Sequence, residues 1–202
     1  MRIRSSKVVV FLLTFFILLS QVFTSSFALA DNKVPFTIFH TNDMHGRLGY
    51  EEYKGKPTSF GSAREKALID KEKKENPNRT VIALDAGDAF QGLPVSNQSK
   101  GQDMAKAMNE IGYKAMAAGN HEFDFGLDTV EKYKNNPQNG GWLNFPILST
   151  NVYKDGKRLF EPSTIINENG VKIGIVGVTT PETATKTNPT GIKGVTFKKP
   201  IP

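Results

Sequence analysis

The sequence has no cysteine in its 202 residues, a single tryptophan and three histidines. Without cysteine there are no disulfides, no thiolate zinc sites and no thiol nucleophile, so stability has to come from a packed core. Charge of one sign is also scarce. The 26 Lys and Arg against 20 Asp and Glu give a formal net charge of +6, and three of those basic residues, Arg2, Arg4 and Lys7, sit at the very start. The rest of the chain balances at +3 (23 − 20), too mild to mark a partner made of polymeric nucleic acid. Internal repeats and low-complexity tracts are missing. Gly170, Gly174 and Gly177 lack the spacing of a dinucleotide fingerprint and read as close backbone packing in a strand. No serine occupies a nucleophile elbow. His121-Glu122 does not open a zincin motif, because Phe125 stands where the second histidine would be.

One long apolar run is present. Val8 to Leu19 is interrupted only by Thr14, follows the basic start, and leads to the small-x-small site Ala28-Leu29-Ala30 before Asp31. This is the pattern of a signal peptide over residues 1–30, cleaved after Ala30, and the run falls short of the ~20 residues of a membrane span. The expectation is a secreted or cell-surface protein with no span after cleavage. Residues 31–202 suit one domain. Thr196 to Pro202 offers no evident final element, so that domain is expected to be incomplete at its C-terminus. Oligomeric state leaves no trace in the sequence.

Hydrophobic periodicity gives an α/β order. Val34 to Phe39 alternates as a strand, Ser62 to Lys74 reads as a surface helix with Ala63, Ala67 and Leu68 among charges, and Thr80 to Leu84 reads as a buried strand. Gly101 to Ile111 carries Met104, Ala107, Met108 and Ile111 at helical spacing before Gly112. Tyr113 to Ala118 is a third strand and Leu127 to Lys134 a further helix, which together imply βαβ units and parallel pairing. Phe145 to Ser149 and Val171 to Val178 add strands. Arg158 to Ile166 is expected to pair with Val171 to Val176 across Asn169-Gly170, making the sheet mixed.

Three polar clusters follow three of these strands, where open α/β sheets place their sites. In an extended backbone Asp43 and His45 project to one side and can hold one cation, a carboxylate and imidazole suited to Zn, Mn or Fe. Asp88, after the turn-forming Gly87, is placed to bridge two ions, and Asn120 offers a neutral carbonyl ligand. Asp124 lies three residues after His121 and can orient its imidazole for proton transfer or for stabilising a phosphoryl group. Glu122 reads as a supporting residue, and His40 as a hydrogen-bonded residue at a strand end. Each cluster alone has a plainer reading: chance for Asp-x-His, an ordinary turn for Gly-Asp, a helix N-cap for Asn120. Their occurrence together, each at a strand end, favours the site.

Four segments resemble the metallophosphatase domain of the secreted 5′-nucleotidase family, within the calcineurin-like phosphoesterases. They are Phe36 to Gly46, Asp85 to Gly92, Gly119 to Gly126 and Leu148 to Val152, with the Gly174 to Thr180 strand beside them. The resemblance implies a four-layer αββα sandwich holding two divalent metal ions, Zn, Mn or similar. Asp43 and His45 would bind the first, Asp88 would bridge, Asn120 would bind the second, and His121 with Asp124 would form a catalytic dyad. Nucleotide substrates, some members also taking cyclic nucleotides or nucleotide sugars, would yield nucleoside and phosphate. Members of the family also use histidines in Gly-His and Gly-His-x-His motifs, and this sequence has only His40, His45 and His121. The resemblance also implies a nucleoside-binding C-terminal domain, which is expected to be absent from residues 1–202. An inactive remnant or cell-surface binding fragment is therefore the alternative to an active enzyme.

Overall fold

The computed structural model describes residues 34–200, and the expected signal peptide lies outside them. In chain order the first part runs β1 (Phe36–Thr41), β2 (Glu51–Tyr53), β3 (Lys56–Ser59), α1 (Ser62–Glu75), β4 (Thr80–Asp85), α2 (Pro94–Asn97), α3 (Gln102–Ile111), β5 (Tyr113–Ala117), α4 (Leu127–Lys134) and β6 (Ile147–Leu148). Strands β1, β4, β5 and β6 pair in that order, all parallel. Phe36 lies opposite Thr80 and Thr41 opposite Asp85, so β1 and β4 end level with each other. That level edge is where the polar loops emerge. The helices supply the crossovers that parallel neighbours require.

Burial follows from position in the sheet. β4 is buried along almost its whole length, as a central parallel strand should be. β1, at the edge, alternates: Thr37, Phe39 and Thr41 are partly covered while Phe36, Ile38 and His40 are exposed. In α3 the buried positions are Met104, Ala105, Met108 and Ile111, and Ala107, expected on that face, is only half covered. In α1 the residues Ala63, Ala67 and Leu68 point outward, Ile69 is buried, and Glu65 turns inward to Tyr113. Phe90 stacks on Tyr133 at 4.1 Å in the centre of this core.

The second part comprises β7 (Val152–Lys154), β8 (Lys157–Arg158), β9 (Ser163–Glu168), β10 (Val171–Val176), α5 (Thr183–Lys186) and β11 (Val195–Phe197). The expected hairpin is present, with Asn169 and Gly170 both left-handed at its turn, but its first strand starts at Ser163, and Arg158, expected in it, pairs with β7 as part of β8. It does not join the main sheet, so the sheet is parallel rather than mixed. Contact with β6 is made just before the hairpin, by a Leu148–Glu161 bridge, and Pro162 then has no N–H with which to extend the ladder. Val195 to Phe197 also departs from expectation: it forms a strand on β7, giving an antiparallel sheet β11-β7-β8. No helix among the described residues is long and apolar enough to cross a membrane.

Candidate metal centre

The loop after β1 is stitched to the loop after β4. Asp43 N–H donates to the Gly87 carbonyl at 3.0 Å, His45 N–H to that of Asp88 at 3.0 Å, and Gly46 N–H to that of Ala89 at 2.9 Å. Asp43, His45 and Asp88 all take left-handed conformations, with φ of 52°, 48° and 59°. Such backbone is uncommon outside glycine, though Asp and His tolerate it better than most residues. The expected extended Asp43-Met44-His45 segment is thus replaced by left-handed turns. The two side chains still meet, Asp43 Oδ1 lying 3.8 Å from His45 Nε2. Two glycines let the β4 and β5 loops touch. A Cβ on Gly87 would fall 2.6 Å from the Gly119 nitrogen, and one on Gly119 would fall 2.3 Å from Asp88 Oδ1.

His45, Asp88 and His121 each present a ligand atom, and those atoms lie within 4.8 Å of one another. His45 Nδ1 donates to the Gln91 carbonyl at 2.8 Å, which fixes the tautomer and leaves Nε2 with its lone pair free. Asp88 Oδ1 accepts the His121 N–H at 2.9 Å. Asp43 lies outside this trio and contacts it through His45. The Asn120 amide nitrogen donates to the Lys186 carbonyl at 3.1 Å, so its oxygen is the atom suited to a cation. His40 is on the exposed face of β1.

His121 and Asp124 form the expected pair, with Nδ1 2.7 Å from Oδ2. The other carboxylate oxygen accepts from Thr187 Oγ1 at 2.5 Å and from the Asn188 N–H at 3.2 Å. Burial opposes the charged imidazole, but the Asp124 hydrogen bond and the charges of Asp88, Asp124 and Glu122 prevail and raise His121 above its ordinary pKa. Burial likewise opposes ionised Asp124, and bonds from His121, Thr187 and Asn188 hold it below the usual carboxylate range.

Glu122 has a larger role than its sequence position suggests. Fully buried, it accepts the N–H groups of Gly119 at 2.7 Å, Asp88 at 2.9 Å and Ala89 at 2.9 Å. One carboxylate thus ties the β4 loop to the β5 loop. Burial and the Asp88 charge push it up to about 8, whereas acceptance from three N–H donors is the bonding of an ionised carboxylate. Each of its oxygens already faces a donor, and that bonding holds the carboxylate ionised against burial. Sequence reading also missed Thr187 and Asn188, which no local motif marks, and the buried Asp85 and half-buried Glu65, whose only signals are an acid at the end of a buried strand and one on an inward helix face.

The phosphoesterase model described as "Calcineurin-like phosphoesterase" matches residues 36–202. The chain is 42% identical over 175 residues to a 5′-nucleotidase of Vibrio cholerae, covering 85% of this chain and 30% of that protein. It is 35% identical over 207 residues to protein UshA of Escherichia coli K12, covering 99% and 35% respectively. A crystal structure of a 5′-nucleotidase precursor from Thermus thermophilus superimposes with a TM-score of 0.67 at 35% identity, over 81% of this chain and 32% of that one. The chain therefore spans about a third of the length of the relatives it matches. Strand-end loops that bring His45, Asp88 and His121 together, and a family match over nearly all the described residues, agree: the chain belongs to the calcineurin-like phosphoesterase family and groups with its 5′-nucleotidases and UshA proteins.

Proposed function

We propose that this chain carries the N-terminal part of an exported, metal-dependent phosphohydrolase that cleaves nucleotide phosphate esters to nucleoside and phosphate. The observation that carries the reading is the convergence of His45 Nε2, freed by the bond to Gln91, with Asp88 and His121. This all-nitrogen-and-oxygen donor set fits Zn, Mn or similar ions, and the surrounding acids, Asp43, Asp88, Glu122 and Asp124, favour a cation. Asp43 and His45 would hold one ion, Asp88 would stand between two, and Asn120 would offer its oxygen to the other. Bound divalent ions would supply Lewis acidity and a water of lowered pKa.

The protein's own contribution is positioning and proton transfer. Glu122 and the Gly87–Gly119 contact hold the β4 and β5 loops in register, and the Asp124 bond aims the His121 ring. Protonated His121 can give a proton to the departing ester oxygen or stabilise charge on the phosphoryl group. The finer fold reading, a four-layer αββα sandwich, would place a second sheet over the exposed β1 face. Export through a cleaved signal and a nucleotide-binding partner domain belong to the same reading. An alternative has its own support: three histidines, one of them the remote His40, leave a two-ion ligand set unfinished. A non-catalytic fragment would then be the outcome.

Phosphate release from a nucleotide panel, with Mn or Zn and with EDTA, tests the reading. Metal-dependent release that falls about 10²- to 10⁴-fold in His121→Ala supports it. Binding of Mn(II) without release favours the non-catalytic alternative. A chain that neither binds Mn(II) nor releases phosphate contradicts the metal centre itself.

A further inference from the structure

Behind the loops that carry Asp43 and Asp88, four polar side chains form a row between α1 and the sheet. Glu65 Oε1 contacts the Tyr113 hydroxyl, which lies 2.6 Å from Thr41 Oγ1, and Thr41 Oγ1 lies 2.7 Å from Asp85 Oδ2. Asp85 and Tyr113 are buried. The far end is anchored as well, because Asp85 Oδ1 accepts the Gly87 N–H at 2.8 Å.

Three oxygen–oxygen contacts in series need three hydrogens, one for each. Thr41 and Tyr113 bring one apiece, and two ionised carboxylates bring none. The row would be one hydrogen short. Two protonated carboxyls would bring the total to four, and the fourth hydrogen would find only the thioether of Met44, a weak acceptor 3.9 Å from the Tyr113 hydroxyl. A single carboxyl proton satisfies every contact, in either direction. Protonated Glu65 can donate to Tyr113, Tyr113 to Thr41, and Thr41 to ionised Asp85. The reverse order begins at protonated Asp85 and ends at ionised Glu65.

We propose that Glu65 and Asp85 share one proton through Tyr113 and Thr41, and that this row is a positioning device locking the strand ends that precede Asp43 and Asp88. Thr41 is two residues before Asp43, and Asp85 holds the N–H of the residue just before Asp88. The row contains none of the residues assigned to the metal centre. Its hydrogen count stands on geometry alone, and only the positioning clause rests on the proposed metal-binding function.

The charged surroundings agree. Glu65 faces the row from α1, Asp85 from β4 and Tyr113 from β5; Asp88 and buried Glu122 add negative charge near Asp85, and His40 shares a groove with it on the other side of the sheet. Burial raises Glu65, and burial together with the Glu65 and Asp88 charges pushes Asp85 up to about 7. Ionising both acids is therefore opposed.

Glu65→Gln and Asp85→Asn, singly and together in the full chain, test the proposal. Either amide can replace the shared proton: it donates into the row and leaves the opposite acid ionised. Infrared difference spectra against wild type should show each single variant losing the same one protonated-carboxyl band, with thermal midpoints within about 3 °C of wild type. In the double variant the amide at position 85 donates to Thr41, and the one at position 65 can turn its carbonyl to accept from Tyr113. The row stays complete, and the variant should melt within about 3 °C of the sum of the singles. Tyr113→Phe breaks the row in its middle and should lower Mn(II) affinity roughly tenfold, whereas the single amides should leave it within about threefold. Retention of the band in either single variant overturns the shared proton, and an unchanged Mn(II) affinity in Tyr113→Phe overturns the positioning role. Wild type that binds no Mn(II) refutes the metal centre, while the band and the melting data still decide the proton count.

Discussion

The two faces of the parallel sheet are built to different standards. On the helix side Phe90, Met104, Met108 and Phe123 have no exposed surface, and Asp85, Tyr113 and Glu122 are each hydrogen-bonded. On the other side Phe36, Ile38, Val176 and Val178 are exposed, and Ile165 keeps 74% of its surface. Val176 lines a groove of about 300 Å³ together with His40, Leu84, Ala115, Ala117 and Ile175. A patch of that kind is more than scattered surface hydrophobicity. The contrast teaches that rigidity for the candidate site comes from one side alone. The three strand-end loops are tied to one another by backbone bonds and by Glu122, and none of these bonds comes from the exposed apolar residues of the bare side.

The sharpest way to break this comparison is to truncate one residue on each face. Phe90→Ala removes a ring stacked on Tyr133 and should cost about 3–5 kcal/mol in denaturant unfolding. Ile165→Ser should stay within about 0.5 kcal/mol and reduce self-association measured by light scattering. Similar losses at both sites would mean that the bare face is covered in solution.

A smaller effect is expected where polar rather than apolar packing joins the loops. Glu122→Gln keeps the shape but turns one acceptor into an NH2 group facing backbone N–H donors. The expected cost is about 2–3 kcal/mol. Mn(II) affinity should fall with it, roughly 10- to 100-fold, as for residues that support metal ligands. An unchanged affinity would detach Glu122 from the centre and leave it a purely structural tie.

How far these features were legible in the sequence follows the same division. Elements set by local periodicity were readable: β1, β4, β5, α3, α4 and the Asn169-Gly170 hairpin stand where alternation, apolar runs and glycine stops put them. Convergence of His45, Asp88 and His121 was readable in outline, because each follows a strand. Their backbone was not, since left-handed turns at Asp43 and His45 depend on bonds to Gly87 and Asp88 rather than on neighbours in sequence. Pairing of β11 with β7 and isolation of the β9–β10 hairpin are also long-range outcomes. Glu65 illustrates the limit well. A glutamate among lysines on a helix reads as solvent-facing, and only the placement of Tyr113 opposite it turns it inward.

Asp85 lets pH probe the helix face. Its folded pKa, pushed up to about 7, exceeds the ordinary value of 3.8. Over that range the folded state binds more protons than the unfolded one, so stability declines as pH rises from about 4 to 7 and is level above it. The drop should be on the order of 2 kcal/mol after allowance for relaxation around the buried acid. In Asp85→Asn this slope should vanish from urea midpoints measured across the range, whereas Ile38→Ser on the bare face should leave it intact. A slope that survives in Asp85→Asn would assign it to another acid, Glu65 or Glu122.

The smallest effect tests how the last loop steadies the catalytic pair. Thr187→Val removes one hydroxyl bond to Asp124 and should cost about 1 kcal/mol, since the Asn188 N–H remains. Its signature is where that loss appears. His121 is raised, so the pair's contribution is complete below the ordinary histidine pKa and fades as pH climbs through the raised value. Asp124 is lowered, so the contribution also fades as pH falls through its depressed value. Between those limits both partners are charged, and there the missing hydroxyl should matter most. A Thr187→Val penalty that is the same at every pH would mean that the hydroxyl supports the loop and not the pair, and the last loop would then belong with the packing of the fold rather than with its chemistry.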